Sequence, residues 1–454
     1  REGELIFRLV YQFAGCKKPF KRLWISSLEK KAIIYGFKNL KNGNDFDNLY
    51  YSASCRQKAD WLVGMNMTRL FSCLTNTKLS IGRVRTPTVK MIVDRDREIK
   101  NFKPKDYIVL NADCSKFIAT KKVIDLNKAE EIFNKCNHQD GIIKNIDEKE
   151  KIMNPPTLFD LTSLQQEANG LLGYTSQQTL DIVQSLYEKK FVTYPRTDSK
   201  YITDDMAMST KDVITSLASK YNLNVPNINN IKKIINNKKV SDHHAIIPTK
   251  ESCTMSINNL SLEEKNIYNL IYLRLIMSIG NPYTYLSTSI IVDIKGEEFI
   301  AKGNQTINLG WKEYENQTAN KEKIIEDVHV GDIIHNINIQ KEKKQTSPPK
   351  HFTEKTLLAK METAGKIILE ENLKNAMKDS GLGTPATRAS IIEGIISNGY
   401  VIRKQKQLMA TEKAEFLVDN IPEKLSSPIL TGEWEQKLSL IEKGESELLR
   451  FQTL

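Results

Sequence analysis

Apolar side chains at Leu5, Ile6, Leu9, Val10 and Phe13 recur at the three-to-four spacing of one helix face, predicting a helix over residues 4–14. A loop rich in Asn, Asp and Gly occupies 41–48, and a second helical pattern runs over 54–75. Residues 78–82 predict a turn, and over 88–99 Val89, Ile92 and Val93 sit among Asp94, Arg95, Asp96, Arg97 and Glu98, a helix with one wet, charged face. The pattern changes at Tyr107: 107–112 and 115–120 read as short strands, and the same texture returns at 287–294 and 299–302. Between these stretches lies a helical block over 154–279, and after Ser347-Pro348-Pro349 the chain turns helical again. The pattern predicts an α+β multidomain protein in which a helical insert interrupts a β-rich unit, so the chain leaves that unit and returns to it.

The bulk composition narrows the function classes. With 454 residues, 40% hydrophobic and 27% charged, the chain is an ordinary globular protein of about three domains. Its net charge of +11 is lopsided: residues 1–100 hold 20 Lys and Arg against 9 Asp and Glu, while the remainder holds 46 of each. A basic excess confined to one segment points to a polyanion-binding surface, with a merely solvated face as the bland alternative. Six cysteines without a CxxC pair argue against a zinc ribbon or a disulfide framework and for an intracellular, reducing compartment. No apolar run reaches the roughly 18 residues of a membrane span. The chain opens inside a motif, without an initiator Met, and is expected to be a fragment of a longer protein.

The richest stretch is 154–199. A helix-period run through Leu158, Leu161, Leu164 and Ala168 is followed by a turn at Gly170 and Gly173, then a second helix capped by Thr175 or Ser176. Phe191-Val192-Thr193 then delivers Tyr194-Pro195-Arg196-Thr197-Asp198-Ser199, a helix-turn-helix-strand order of winged-helix type. In extended backbone Tyr194 and Arg196 project to the same side, and Pro195 restrains both its own φ and the geometry of Tyr194. A phenol beside a guanidinium is a phosphoryl-transfer pair: the cation holds a phosphate oxygen and favours the phenolate. The alternative is a buried Tyr at a strand end with a surface Arg. A second candidate, Asp242-His243-His244-Ala245-Ile246-Ile247-Pro248-Thr249, places adjacent imidazoles suited to proton transfer, metal ligation or phosphate contact; they point apart on an extended segment, which disfavours both binding one metal, and the alternative is a structural or exposed His pair. Ser80-Ile81-Gly82-Arg83-Val84-Arg85-Thr86 sets alternating arginines before a helix, and Gly381-Leu382-Gly383-Thr384-Pro385-Ala386-Thr387-Arg388 offers Thr384 as N-cap with Pro385 in the first turn. The helix through Ile391 and Ile396 ends near Gly399, and 400–411 predicts a wing hairpin.

Together these segments resemble the type IA DNA topoisomerases, most closely the topoisomerase III branch. The resemblance rests on the motifs at 1–8, 59–69, 80–88, 192–199, 243–249 and 381–389, in the family's order and across nearly the whole chain. It implies a toroid with winged-helix-like modules and a β-rich arch. Residues 1–44 would be the C-terminal remnant of a Toprim domain, 45–102 and 350–454 a single-strand DNA groove, 103–153 and 281–349 the arch, and 154–280 the nucleophile domain. The implied activity is transient cleavage of one DNA strand through a 5′-phosphotyrosine, strand passage and resealing, relaxing or decatenating DNA. Tyr194 would be the nucleophile, Arg196 the contact to the scissile phosphate, His243 the active-site histidine and His244 the branch's additional one. Asp60, Asn66, Arg69, Ser80, Gly82, Arg83, Val84, Arg85, Thr86, Thr384 and Arg388 fall on DNA-contacting motifs.

The phosphotyrosine conserves the phosphodiester energy, which agrees with the absence of a GxxxxGK[ST] segment: no ATP is expected. The resemblance implies Mg²⁺ in the intact protein, yet Glu2 alone remains of the family's Asp-x-Asp-x-Glu cluster, and Arg85 stands where the family usually has Gln. The expected partner is DNA with single-stranded segments preferred, a helicase is a candidate partner, no membrane is involved, the protein is a monomer, and its place is bacterial, cytoplasmic and nucleoid-associated. The alternative reading is a non-catalytic single-stranded DNA-binding remnant, motivated by the incomplete acidic cluster.

Overall fold

The computed structural model describes residues 2–25, 29–224, 227–240, 242–315, 322–325, 327–367, 371 and 381–445. Arg1 of the first motif and residues 446–454 of the expected groove region lie outside them. Helix α1 (Glu2–Phe13) is followed by the strand β1 (Lys21–Arg22), helix α2 (Lys30–Lys38) and the strand β2 (Lys41–Asn42), with β1 and β2 pairing antiparallel. The next helix, α3 (Asp47–Thr75), begins earlier than its apolar pattern predicts, because its first turns carry Asn48, Tyr50 and Ser52 rather than an apolar stripe. It ends at Asn76 in left-handed backbone (φ 49°). Helix α4 (Arg85–Lys100) buries Val89, Ile92 and Val93 completely and leaves Asp94, Glu98 and Lys100 exposed, while Asp96 is taken by His351 and the Ala410 amide.

A six-stranded closed barrel forms the β-rich region. Its strands are β3 (Asp106–Asp113), β4 (Ile118–Val123), β5 (Gln139–Met153), β6 (Tyr283–Ile294), β7 (Glu297–Asn308) and β8 (Ile333–Gln345), in spatial order β3-β4-β7-β6-β5-β8. Helix α5 (Leu126–Cys136), capped by Asp125, lays Ala129, Ile132 and Cys136 onto a core of Leu110, Ile143, Ile290, Val292, Phe299 and Ile339. Strand β5 escapes the sequence pattern because it is exposed on both faces beyond Ile143, so it shows no alternation. Its register with β6 runs from Gly141↔Ile294 to Met153↔Tyr283. The insert of residues 154–282 therefore hangs from a paired two-strand stem.

The insert holds its own core. Helices α6 (Leu161–Leu171), α7 (Ser176–Glu188), α8 (Ala207–Lys220), α9 (Lys250–Thr254) and α10 (Leu262–Ser278) enclose Phe159, Leu164, Val183, Leu186, Ile214, Ile271 and Leu275. Capping boxes at Asp160/Ser163, Thr175/Gln178 and Ser261/Glu264 fix three of the helix starts. A third core joins α4 to β9 (Phe352–Thr353), α11 (Glu354–Glu362), the helix Pro385–Ser397 and the hairpin β10 (Val401–Lys404) with β11 (Gln407–Ala410). The three-stranded sheet β10-β11-β9 against helices is the winged arrangement expected around the hairpin. The helix Ile429–Lys443 packs along α3, burying Cys55, Leu438 and Ile441, with Ser52 donating to the Leu438 carbonyl at 2.9 Å.

Candidate active site

The two motifs of the insert, 192–199 and 243–249, lie side by side. Bridges link Val192 with Pro248 and Phe159 with Ile246. The Thr193 amide donates to the Ile247 carbonyl at 2.9 Å. The Thr193 hydroxyl donates to the Ala245 carbonyl (3.1 Å) and accepts from the Ile247 amide (3.0 Å). Thr197 repeats the device: its hydroxyl donates to the His243 carbonyl (2.9 Å) and accepts from the Ser199 amide (3.0 Å). Two threonines thus lock the histidine strand to the tyrosine strand. The short strand after α7 takes its partner from the second motif, more than fifty residues on, rather than from an adjacent wing.

Burial alternates along the tyrosine strand. Pro195, Thr197 and Ser199 are buried, Arg196 and Asp198 are exposed, and Tyr194 is half-buried, so the three chemical side chains share one parity. The run is not a regular strand: the Thr197 amide donates to the Pro195 carbonyl at 3.0 Å, closing a tight turn centred on Arg196. The Tyr194 ring is held on two sides, by the Tyr187 edge at 5.5 Å and by the tilted His243 ring at 4.4 Å between centroids. His243 is exposed, whereas its neighbour His244 turns inward, its Nδ1 2.8 Å from the Ala245 carbonyl oxygen. Burial pushes the His244 pKa below the usual imidazole range, and His243 adds to the effect while Asp205 and Glu29 oppose it.

Tyr194, His243 and His244 line a cleft of about 900 Å³ whose wall also includes Ile25 and Glu29 from the N-terminal segment. Glu29 accepts a 2.6 Å hydrogen bond from Ser209 on α8, so the N-terminal segment docks directly on the tyrosine-bearing unit. Tyr187, Thr193, Thr197 and the Glu29–Ser209 pair were not singled out from sequence. Of these only the two threonines carried a signal, since they flank Tyr194 and Arg196 on the opposite parity, Thr193 half-buried and Thr197 buried.

The remaining predicted residues fall elsewhere. On α3, Leu62, Met65, Asn66, Arg69 and Leu70 are exposed along one stripe, mixing apolar surface, an amide and a cation. Asp60 is spent differently: Arg83, 7% exposed, donates to both of its carboxylate oxygens (2.8 and 3.1 Å), and to Glu435 at 3.3 Å, with its guanidinium stacked on Trp434. Arg56 also pairs with Glu435. Arg85 donates to the Ser80 hydroxyl at 2.6 Å, and the Ser80 amide donates to the Tyr400 hydroxyl at 2.6 Å. The Gly82 amide donates to the Thr86 hydroxyl at 3.0 Å, and Val84 closes the turn into α4. Thr384 starts the Pro385–Ser397 helix, donating its amide to the Thr387 hydroxyl at 3.0 Å, and Arg388 is 2% exposed. The segment 381–388 leaves the Thr384 and Thr387 hydroxyls exposed, the segment 80–88 buries Thr86 and Thr88, and Arg83 and Arg388 point inward.

Glu2 is exposed at the start of α1, and Glu4, two residues on, is buried against Arg8 at 2.9 Å. Among the described residues no three His, Cys, Asp or Glu side chains gather as a metal-holding group. A hard divalent cation takes about six oxygen ligands, so the acidic residues described do not by themselves fit Mg²⁺. All six cysteines are free, and among the described residues no helix is long and apolar enough to cross a membrane.

Comparison with known proteins supports the same assignment. A family model described as DNA topoisomerase matches residues 44–452. DNA topoisomerase 3 of Bacillus licheniformis is 39% identical over 98% of this chain and 64% of its own length. DNA topoisomerase 3 of Staphylococcus aureus strain MRSA252 is 37% identical over 99% of this chain and 65% of its own length. The chain thus spans a little under two thirds of these relatives. The structure of full-length topoisomerase I from Thermotoga maritima superposes with a TM-score of 0.77 at 25% identity, covering 100% of this chain and 75% of that one. The motif order, the nested barrel and insert, and these matches agree: the chain belongs to the type IA DNA topoisomerase family.

Proposed function

We propose that the protein of which this chain is the described part is a type IA topoisomerase, with Tyr194 as its nucleophile. The observation that carries the proposal is the threonine-locked floor of the cleft, which holds the Tyr194 ring between Tyr187 and His243 and puts Arg196 on the same parity. In the forward step the Tyr194 oxygen bonds to a backbone phosphorus and the P–O3′ bond breaks. The phenolic proton is lost, and the departing 3′-oxygen gains one. The 3′-hydroxyl reverses the exchange, so one phosphodiester replaces another and no nucleotide is consumed. Arg196 supplies a fixed cation for the nonbridging oxygens, on which charge builds as the fifth bond forms.

Single-stranded DNA is the expected substrate, because the exposed α3 stripe offers apolar surface for bases beside Asn66 and Arg69 for phosphates. The four-unit map follows: groove helices at 45–102 and 350–454, barrel strands at 103–153 and 281–349, the nucleophile unit at 154–280, and the Toprim remnant at 1–44. Mg²⁺ belongs to this reading for the intact protein, with Glu2 as one donor of a ligand set that the described residues do not complete, and when bound it would supply cationic charge. The steps above concern this chain's own side chains. Relaxation or decatenation of DNA in the bacterial nucleoid, as a monomer or beside a helicase, is the cellular form of the same reading.

The test is a covalent trap. Full-length protein is incubated with a labelled single-stranded oligonucleotide, with Mg²⁺ and with chelator, then denatured. A 5′-linked adduct is expected, and none with Tyr194→Phe. An adduct that survives the substitution, or its absence in wild type under every metal condition, overturns the proposal.

A further inference from the structure

Arg388 lies in a motif whose arginine is expected on DNA, yet it has almost no surface to offer. Its Nη1 donates to the Thr162 hydroxyl at 2.8 Å and its Nε to the Leu382 carbonyl at 3.3 Å. These acceptors belong to different units. Leu382 sits in the loop of the groove core and is pinned to α11 by its amide, which donates to the Met361 carbonyl at 2.8 Å. Its neighbour Gly381 has a φ of +59°, and a Cβ there would come within 2.4 Å of the Met361 oxygen, so the loop accepts only glycine at that place.

Thr162, fully buried, is in the first turn of α6 on the nucleophile unit. The preceding residue, Leu161, donates its amide to the Thr197 carbonyl at 3.2 Å, three residues beyond Tyr194. Thr197 in turn holds the His243 carbonyl. A continuous chain of bonds therefore runs from α11 through Leu382, Arg388, Thr162, Leu161 and Thr197 to the two strands that carry Tyr194 and His243. Burial lowers the Arg388 pKa, and Glu362 and Asp160 act against that, with Lys200 3.6 Å from a carboxylate oxygen of each. A guanidinium that grips phosphate needs its fork open to solvent.

We infer that Arg388 is a positioning residue for strand cleavage, tying the groove core to the floor of the Tyr194 cleft, and not a DNA-gripping one. The inference rests on the proposed topoisomerase activity. Its test uses full-length Arg388→Met, Thr162→Val and the double variant, with two readouts: the rate of adduct formation and the Kd for a single-stranded oligonucleotide. Each single change is expected to slow adduct formation about tenfold while Kd stays within about threefold, as for loss of one charge-assisted hydrogen bond away from the ligand. The double variant should be no slower than the slower single, because both remove the same link.

A Kd that rises in proportion to the lost cleavage, or single losses that multiply in the double, overturns the assignment. Should Arg388→Met fail to fold, Thr162→Val decides alone: cleavage at the wild-type rate overturns the inference, and slowed cleavage with unchanged Kd upholds it. A wild-type protein that forms no adduct overturns the function itself, which separates the two failures.

Discussion

The Arg83 cluster and the Tyr194 cleft are both built from sequence motifs crowded with ionisable groups, and they use those groups in opposite ways. Around Arg83 the guanidinium is turned inward: Asp60, Glu435 and the Trp434 ring take it, and Arg56 completes the balance. Around Tyr194 the buried positions go to Pro195, Thr197 and Ser199, whose hydroxyls satisfy backbone groups, while Arg196, Asp198 and His243 are left at the surface. Motif membership does not say which kind of site a residue serves; burial and the identity of its partners do. The first cluster joins α3, the loop 80–84 and the helix Ile429–Lys443 into one wall, and the second leaves its charged side chains open to the solvent.

The largest expected effect follows from the inward cluster. Arg83→Ala would strip Asp60 of its cation, leave Glu435 to Arg56 alone and empty the space over Trp434, a loss of about 2–4 kcal/mol. Urea unfolding followed by tryptophan fluorescence checks this; Trp434, one of four tryptophans, stacks on Arg83. Loss of single-strand binding is expected only in step with loss of structure. A variant that keeps its stability and loses DNA binding would break the contrast by making Arg83 a ligand contact.

Arg196→Ala tests the outward site. One fixed cation on the reacting phosphate is worth about 10²- to 10³-fold in rate, whereas in binding it is one phosphate contact among many. Adduct formation is therefore expected to fall by that factor while oligonucleotide affinity changes less than about threefold. Equal losses in both assays would show that Arg196 merely holds DNA.

Much of this was legible in the chain. The apolar periodicity of α4, the cap at Thr175, the hairpin after Tyr400 and the leave-and-return path of the barrel could all be read from spacing, because each depends on local residues facing one core. Strand β5 could not be read: its outer half is wet on both faces and is held only by pairing with β6, a long-range contact that leaves no period. Tyr194 and His243 could be named separately, and their junction could not, since it depends on Thr193 and Thr197 reaching across some fifty residues to carbonyls. The surroundings of two arginines could not be read. Arg83 and Arg388 sit beside glycines and threonines as a phosphate-binding arginine would, and only the fold reveals the carboxylates and hydroxyls that occupy them.

The same inward and outward division separates two adjacent residues, and there the effect is smallest. His243 faces the cleft on the Tyr194 ring, whereas His244 is turned toward Asp205 and Glu29, its Nδ1 against the Ala245 carbonyl. Burial depresses the folded-state pKa of His244 below the unfolded value of about 6.5, so as the pH falls the unfolded chain takes up this proton first. Its contribution to stability is therefore fully present above about pH 6.5 and is lost as the pH falls through the folded-state pKa, with a slope of at most about 1.4 kcal/mol per pH unit. His244→Asn keeps an N–H for the Ala245 carbonyl and removes the titration. Urea midpoints compared between wild type and variant from pH 8 to pH 5 cancel the other histidines, and the wild type should lose ground to the variant on acidification. A wild type that gains on the variant as the pH falls would mean that Asp205 and Glu29 outweigh burial, making His244 a charged partner of the N-terminal segment and placing it on the outward side of the comparison.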